Sequence, residues 1–329
     1  MKKYLEIIKK LCLTPGISGK ELYSGISQEI FSIVKNINKN TIIDKHGDVI
    51  SILGNGNKKI MIDAHLDEVG FSVSKKNNGK IQLTSIGNIN IQKIDNSEAF
   101  VLNKNIKGKI IQDTSDIIFE TENPKLQEKI NSGDIISFSR YFSTDQKTIK
   151  ATALDNRIGC ACLIYLIDNL KNNIEDDLKI IFTFTSGEEK DKSILDKIAT
   201  EHDVDFGIIV DAAYAKPVSF GTDNMSIPEL GKGCAIQYIG LNFIVNKNII
   251  NTIEKCASRE KISFQKEIPL PNLGRTNFSK FQQTGKTGCV INIPVKNQHE
   301  QISEASIKDF DSASNLIMLV IEMFRNGKF

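Results

Sequence analysis

The chain has 329 residues, 40% hydrophobic and 25% charged, with a formal net charge of +2. That is an ordinary globular profile, long enough for two domains or one large domain with an insertion. The near-neutral balance argues against nucleic acid or anionic membranes as partners, and no apolar stretch approaches the ~20 residues of a membrane span.

The N-terminal MKKYLEIIKKLCLTPG reads as an amphipathic helix rather than a signal peptide. Glu6, Lys9 and Lys10 interrupt any apolar core, and Leu5, Ile8 and Leu11 line one face. PGISGKE (15–21) is a turn and helix start, with Ser18 as N-cap and Glu21 three residues on, the pattern of a capping box. A helix is expected over 21–35, then a strand near 41–43, the turn KHGD (45–48) and a return strand at 49–53. NGNKK (55–59) is expected to be a hairpin loop that leads into a strand over 60–63 and delivers His65.

From about residue 70 to 150 the texture changes to short alternating runs (FSVSKK, KIQLTSIG, KGKIIQD, GDIISFSR, QKTIKATA) separated by Gly, Asn and Asp turns. That pattern predicts a small all-β, barrel-like domain, with one short helix over 123–134. After Asp155 the α/β texture returns, with a helix over about 157–170 and a strand over 179–185. The expected fold class is therefore α/β: a mixed-sheet domain formed by 1–69 and 151–329, interrupted by a β domain at 70–150. The six cysteines form no CxxC pair and sit mostly in apolar contexts, as reduced thiols of a cytoplasmic protein do. None has a histidine placed by any sequence cue to activate it, which argues against a cysteine protease.

Five apolar runs each carry an acid or histidine at or just past their end. His65 and Asp67 form an HxD pair; a metal-bound imidazole often hands its second N–H to a carboxylate, although a surface histidine at a strand end looks the same. Asp155, in LDNRIG, has two oxygens that can bridge metals ~3.5–4 Å apart, yet Asp is also a favoured helix N-cap. Glu188 and Glu189 follow the strand IIFTFT, where adjacent acids repel each other without a cation; metal-assisted hydrolysis uses one such acid as ligand and one as general base. Read alone, EEKDKS is equally a solvated loop. Asp211 ends FGIIVD, and His299 follows CVINIPVKNQ; each is weak by itself. His46 and His202 lie in polar turns and receive no role. The conjunction of His, Asp, Glu, Asp and His favours a dimetal hydrolase site.

At these residues the chain resembles the M42 metallo-aminopeptidases of the co-catalytic dimetal peptidase superfamily. The anchors are PGISGKE, AHLDEVGF, ALDNRIG, the Glu188-Glu189 pair, the strand ending at Asp211, and IPVKNQH. The resemblance implies an α/β peptidase domain interrupted by a β domain, and two divalent metals, zinc or cobalt. It implies Asp155 as the bridging ligand, His65 and Asp211 completing one metal, and Glu189 and His299 the other. Glu188 becomes the general base and Asp67 the buttress of His65. Peptides are the implied substrates, and a homo-oligomer, a hollow dodecamer in many members, is the implied assembly. The chain departs from the family pattern at Asn156 and Asn277, where Asp is usual, at Gly187, where Gln is usual, and at Lys296-Asn297, where Arg-Tyr is usual. Two alternatives stay open: a dimetal deacylase of N-acyl amino acids, or a peptidase-like assembly subunit without turnover.

Overall fold

The N-terminal periodicity gives α1 (Lys2–Leu13), which buries Ile8, Leu11 and Cys12. In the computed structural model all residues are described except Met1, Asn78, Asn105, Ser115, 218–225 and 270–273. The helix expected over 21–35 is broken: α2 (Glu21–Ser24) and α3 (Ile26–Ile37) meet at Gly25, whose φ of 99° suits a residue without a Cβ. The capping box does not form. No side chain caps α2, and the Glu21 carboxylate takes the Gly19 N–H instead. β1 (Thr41–Ile43) and β2 (Val49–Leu53) pair antiparallel around the KHGD turn.

The hairpin expected at 55–59 is also absent, because β2 and β3 (Lys58–His65) are not neighbours: the strand Leu178–Thr185 lies between them. The connecting loop packs on that strand rather than closing on itself. Gly56 N–H donates to the Leu178 carbonyl, and a Cβ at Gly56 would lie 2.0 Å from the Asp177 carbonyl carbon.

Six strands then close into a barrel: β4 (Gly70–Asn77), β5 (Lys80–Ile86), β6 (Ser97–Val101), β7 (Ile106–Asp113), β8 (Asp116–Thr121) and β9 (Ile135–Phe138), in the order β4-β5-β8-β7-β6-β9. Period-2 alternation fills the interior: β7 buries Ile106, Gly108 and Ile110 and exposes Lys107 and Lys109. Phe71 and Phe138 meet edge-to-face inside, 5.6 Å apart. The helix expected over 123–134 is a 3-10 turn, Pro124–Lys129. The barrel ends at Phe138. β10 (Phe142–Thr144) and β11 (Thr148–Ala151) pair with each other, and β11 pairs with the strand Ser303–Ser306 of the large sheet. Alternation reads the same in a barrel strand and in a half-buried strand of an open sheet, so the return to the α/β sheet comes earlier than residue 150.

The rest of the chain supplies α4 (Leu154–Leu170), β12 (Leu178–Thr185), α5 (Leu195–Glu201), β13 (Phe206–Tyr214), β14 (Cys234–Gln237), the small pair β15 (Ile239–Gly240) and β16 (Phe243–Ile244), α6 (Lys247–Arg259), β17 (Phe264–Glu267), α7 (Phe278–Gln282), β18 (Thr287–Lys296), β19 (Ser303–Ser306) and α8 (Ile307–Arg325). The large sheet runs β1-β2-β12-β3-β13-β18-β19-β11-β10, with β14 and β17 branching from β18. Its centre, β12-β3-β13-β18, is parallel. These strands read as continuous Ile, Val and Phe because helices cover both faces; the middle of α4, Cys160 through Ile164, is apolar and fully buried. β13 pairs with β3 only as far as Ile209 against Asp63, yet follows β18 to Tyr214 against Val295. Beyond Ile209 it leaves β3, and a cleft opens at the carboxyl ends of the strands, where open α/β sheets hold ligands. Among the described residues no helix is long and apolar enough to cross a membrane, and all six cysteines are unpaired thiols.

Candidate metal centre

The five proposed ligands converge on this cleft. His65 is the last residue of β3. Asp155 stands in the first turn of α4, outside helical φ/ψ, and its peptide bond to Asn156 is cis. Glu188 and Glu189 begin a 3-10 turn just beyond β12. Asp211 is not at a strand end as the sequence suggested; β13 continues three residues further, and the side chain reaches the cleft because β13 has already left β3. His299 lies in the loop after β18.

The donor atoms form two groups that share Asp155: His65, Asp155 and Asp211, and Asp155, Glu189 and His299, the atoms of each group lying within 4.8 Å of one another. His65 Nε2 is 3.2 Å from Asp155 Oδ1 and 3.3 Å from Asp211 Oδ1. His299 Nε2 is 3.3 Å from both Asp155 Oδ2 and Glu189 Oε1. Bonds of ~2.0–2.1 Å about a tetrahedral centre set ligand atoms ~3.3 Å apart, so these spacings fit a divalent ion in each group. The two oxygens of Asp155 face different histidines, as a bridging carboxylate requires. Imidazole nitrogen with carboxylate oxygen suits zinc and its neighbours.

A cavity of ≈ 230 Å³ opens onto these groups and is also lined by Gln237, Glu267, Arg275 and Asn292. A larger groove of ≈ 780 Å³ lies beside α8 and contains none of the ligands.

The Glu188-Glu189 turn is held by backbone N–H groups pointing into buried carboxylates. Ser186 N–H donates to Asp48 at 2.7 Å, Gly187 N–H to Glu21 at 3.2 Å, and Glu188 and Glu189 N–H to the two oxygens of Asp67 at 3.1 Å each. Asp67 also stands 3.4 Å from His65 Nδ1, so one carboxylate steadies both a ligand and the acid pair. His299 is steadied differently: its Nδ1 donates to the Asn88 carbonyl, at the rim of the barrel, which leaves Nε2 for the site. Sequence reasoning found Asp67 for His65 but missed the roles of Glu21, Asp48 and Asn88. The only signal for the first two is their place in PGISGKE and KHGD.

Electrostatics favour cationic charge in the cleft. Burial opposes charge on His65, but Asp211, Asp155 and Asp67 outweigh it and raise the imidazole well above its ordinary value. Burial likewise opposes charge on His299, and Glu189 and Asp155 raise it. Burial tends to raise Asp155, yet His299 and His65 hold it below the usual carboxylate range. Glu188 is pushed well above that range, first by burial; His65 opposes the shift, and Asp211 and Glu189 add to it.

The departures from the family pattern are bonded in place. Asn277 donates to Asp63 at 2.9 Å and to Thr185 at 2.8 Å; an Asp there would set a second carboxylate against the fully buried Asp63. Asn156 donates to the Val210 carbonyl at 2.8 Å and accepts from Gly159 N–H. Gly187 has φ 79°, a left-handed value that Gln adopts only with strain. Arg275, unremarked in the sequence, donates to the carbonyls of Glu188 and Glu189, both at 3.3 Å, and its Nε lies 3.7 Å from Glu188 Oε1.

The M42 glutamyl aminopeptidase family model matches residues 47–123 and 107–316 of the chain. A lysyl aminopeptidase of Pyrococcus furiosus is 26% identical, over 98% of each chain. Among solved structures, the TET aminopeptidase from the marine sediment archaeon Thaumarchaeota archaeon SCGC AB-539-E09 superposes with a TM-score of 0.89 at 22% identity, covering 97% of this chain and 96% of that one. The Pyrococcus horikoshii TET1 peptidase, described as assembling into a tetrahedron or a large octahedral shell, gives 0.82 at 23% identity, covering 97% and 99%.

Proposed function

Since the chain belongs to the M42 glutamyl aminopeptidase family, we propose that its cleft removes N-terminal residues from peptides with two divalent metals and Glu188 as general base. The chain is an aminopeptidase, a hydrolase of peptide bonds, by that membership. In our reading His65 and Asp211 hold one metal, Glu189 and His299 the other, and Asp155 lies between them. The observation that carries it is the sharing of Asp155, one oxygen facing each histidine. Zinc or cobalt suits the nitrogen and oxygen donors equally.

The chemistry that bound metals supply is polarisation of the scissile carbonyl and acidification of the attacking water. The chain's own residues do the rest. Glu188 takes a proton from that water and delivers it to the leaving amine. Asp67 fixes the acid pair through both N–H groups, so that Glu189 faces the ligand group while Glu188 stays free for the proton. Arg275, anchored on the same two carbonyls, keeps a cation beside the Glu188 carboxylate.

We further propose a homo-oligomer, because a structural relative builds closed shells, and a reducing, cytoplasmic setting, which the unpaired thiols fit. A metal-supplemented assay tests the central claim, comparing amino-acid anilides with N-acyl amino acids. Anilide turnover is expected, and Glu188→Gln should lower kcat by ~10²–10⁴ while both metals remain bound. Near-normal turnover by that variant removes the base assignment. Turnover of N-acyl substrates alone would favour the deacylase, and none under any metal the assembly subunit.

A further inference from the structure

Beyond the ligands, the cleft wall holds a second polar group that the reaction as described does not use. β13, β18, β14 and β17 lie side by side, and Asn292 of β18 stands opposite Asp211. Asn292 Nδ2 donates at 2.8 Å to Gln237 Oε1 and at 2.8 Å to Glu267 Oε2. Gln237 is pinned with its amide nitrogen on the carbonyls of Ile239 and Gly274, so its oxygen must accept. Asn292 is thereby turned to donate on both sides, and its own Oδ1 is buried with no partner. Glu267 is only 4% exposed, and among the described residues no cation pairs with it. Both Glu267 and Asn292 line the cavity that reaches His65 and His299.

The arrangement is a surplus of acceptors. A carboxylate buried without a cation is costly, and burial, the main cause, pushes the Glu267 carboxyl up to about 8. The unbonded Asn292 oxygen lacks a donor as well. A positively charged group with N–H donors entering the cavity would satisfy the Glu267 carboxylate. Arg275, the one arginine or lysine among the described residues lining that cavity, is already committed to the carbonyls of Glu188 and Glu189 and lies beside the Glu188 carboxylate. The acid of the pocket left without a cation is therefore Glu267, one hydrogen bond from Asn292, the β18 neighbour of Asp211.

We infer that Glu267, held by Asn292, forms the recognition site for a basic N-terminal side chain, lysine or arginine, whose ammonium or guanidinium pairs with the Glu267 carboxylate. The inference rests on the aminopeptidase reading of the cleft and adds to it the class of residue removed. Charge-assisted hydrogen bonds to a buried partner give discrimination of ~10–100-fold against an uncharged chain of the same shape.

The test compares kcat/KM for lysyl and norleucyl anilides, which differ in the terminal ammonium, on the metal-loaded full-length enzyme. The expected lysyl to norleucyl ratio is ~10–100, falling towards unity in Glu267→Gln. Titration calorimetry with free lysine and norleucine should show the same preference and the same loss without any turnover. A wild-type ratio near one, with good turnover of both, overturns the inference and leaves the aminopeptidase standing. So does an equal loss on both substrates in Glu267→Gln, since that would mean the carboxylate serves the common α-amine or the fold. Absence of turnover on every anilide would instead overturn the aminopeptidase reading, and a lysine preference in calorimetry would then still stand on its own.

Discussion

The two histidines of the centre are steadied by different parts of the molecule. His65 belongs wholly to the α/β sheet: it ends a central parallel strand, Asp67 stands beside it, and the same Asp67 holds the Glu188-Glu189 turn. His299 sits in a loop and takes its orientation from the Asn88 carbonyl at the rim of the barrel. Its neighbours Glu300 and Gln301 are also tied to the barrel, by Lys93 at 3.1 Å and by Glu98 N–H at 3.1 Å. One half of the site is thus set by a buried carboxylate network, the other by contact between the β18–β19 loop and the barrel. Among the described residues the barrel supplies none of the proposed ligands, yet it orients one of them. Contacts of the second kind are solvent-exposed and few, so the His299 half is expected to be the looser of the two.

The largest effect should come from the residue common to both halves. Asp155→Ala removes the shared carboxylate, and both metals and all measurable turnover should be lost together. Metal analysis of protein purified without chelator checks this; a variant that still binds one metal per chain with full affinity would show that the halves are independent. Asp67→Asn comes next. It weakens the support of His65 and of both N–H groups of the acid pair, and changes to such supporting residues cost ~10–100-fold in metal affinity or activity. Because Asp67 touches His65 on one side and Glu189 on the other, the loss should appear at both metals in stepwise chelation. A loss confined to one metal would break the view of Asp67 as the common anchor.

The residues that converge in the cleft are legible in the sequence because each stands near the end of a recognisable apolar run, whereas the structure that supports them is illegible because it is non-local. Glu21 reads as a helix-cap residue and Asp48 as a turn residue, and both descriptions are locally reasonable. Their functional partners, Gly187 and Ser186, lie 166 and 138 residues away. Asn88 acts through its backbone carbonyl, which has no sequence signature at all. The hairpin at 55–59 failed for a related reason: two adjacent strands with a Gly-rich link look like a pair, and nothing local reveals that β12 inserts between them. Asp211 reads as a strand-end acid, although it lies inside β13 and reaches the cleft because β13 stops pairing with β3 at Ile209.

A smaller perturbation sharpens the contrast between the halves. Gly87 has φ 86°, and a Cβ there would lie 2.5 Å from Val69 Cγ1 and 3.2 Å from Glu189 Oε2. Gly87→Ala should therefore disturb the barrel rim next to Asn88 and press on Glu189, without reaching His65 or Asp211. The expected outcome is a loss of up to ~10-fold in affinity at the His299 metal only, with the His65 metal retained in competition against a chelator. Equal loss at both would mean that the barrel steadies the whole centre.

The smallest effect on turnover is expected at Asp48, the outermost support of the acid-pair turn, and there the readout is stability against pH. Burial, the dominant cause, raises the Asp48 carboxyl from the ordinary 3.8 to about 7, although Ser186 donates to it from both N–H and Oγ at 2.7 Å. Its second oxygen is buried without a partner. The protonated form is thus favoured in the folded state. The associated stability is full below about pH 4, where folded and unfolded chains are both protonated, and is lost as pH rises towards about 7, since the unfolded chain ionises first. The slope for one group cannot exceed ~1.4 kcal/mol per pH unit. In Asp48→Asn the amide oxygen can still accept from Ser186, and nothing at 48 ionises, so its stability should fall less steeply across this window than that of the wild type. Denaturant unfolding of both proteins at matched metal content between pH 4 and 8 decides it. Parallel curves would mean that Asp48 is already ionised at neutral pH and holds the turn as a charge, as Asp67 does.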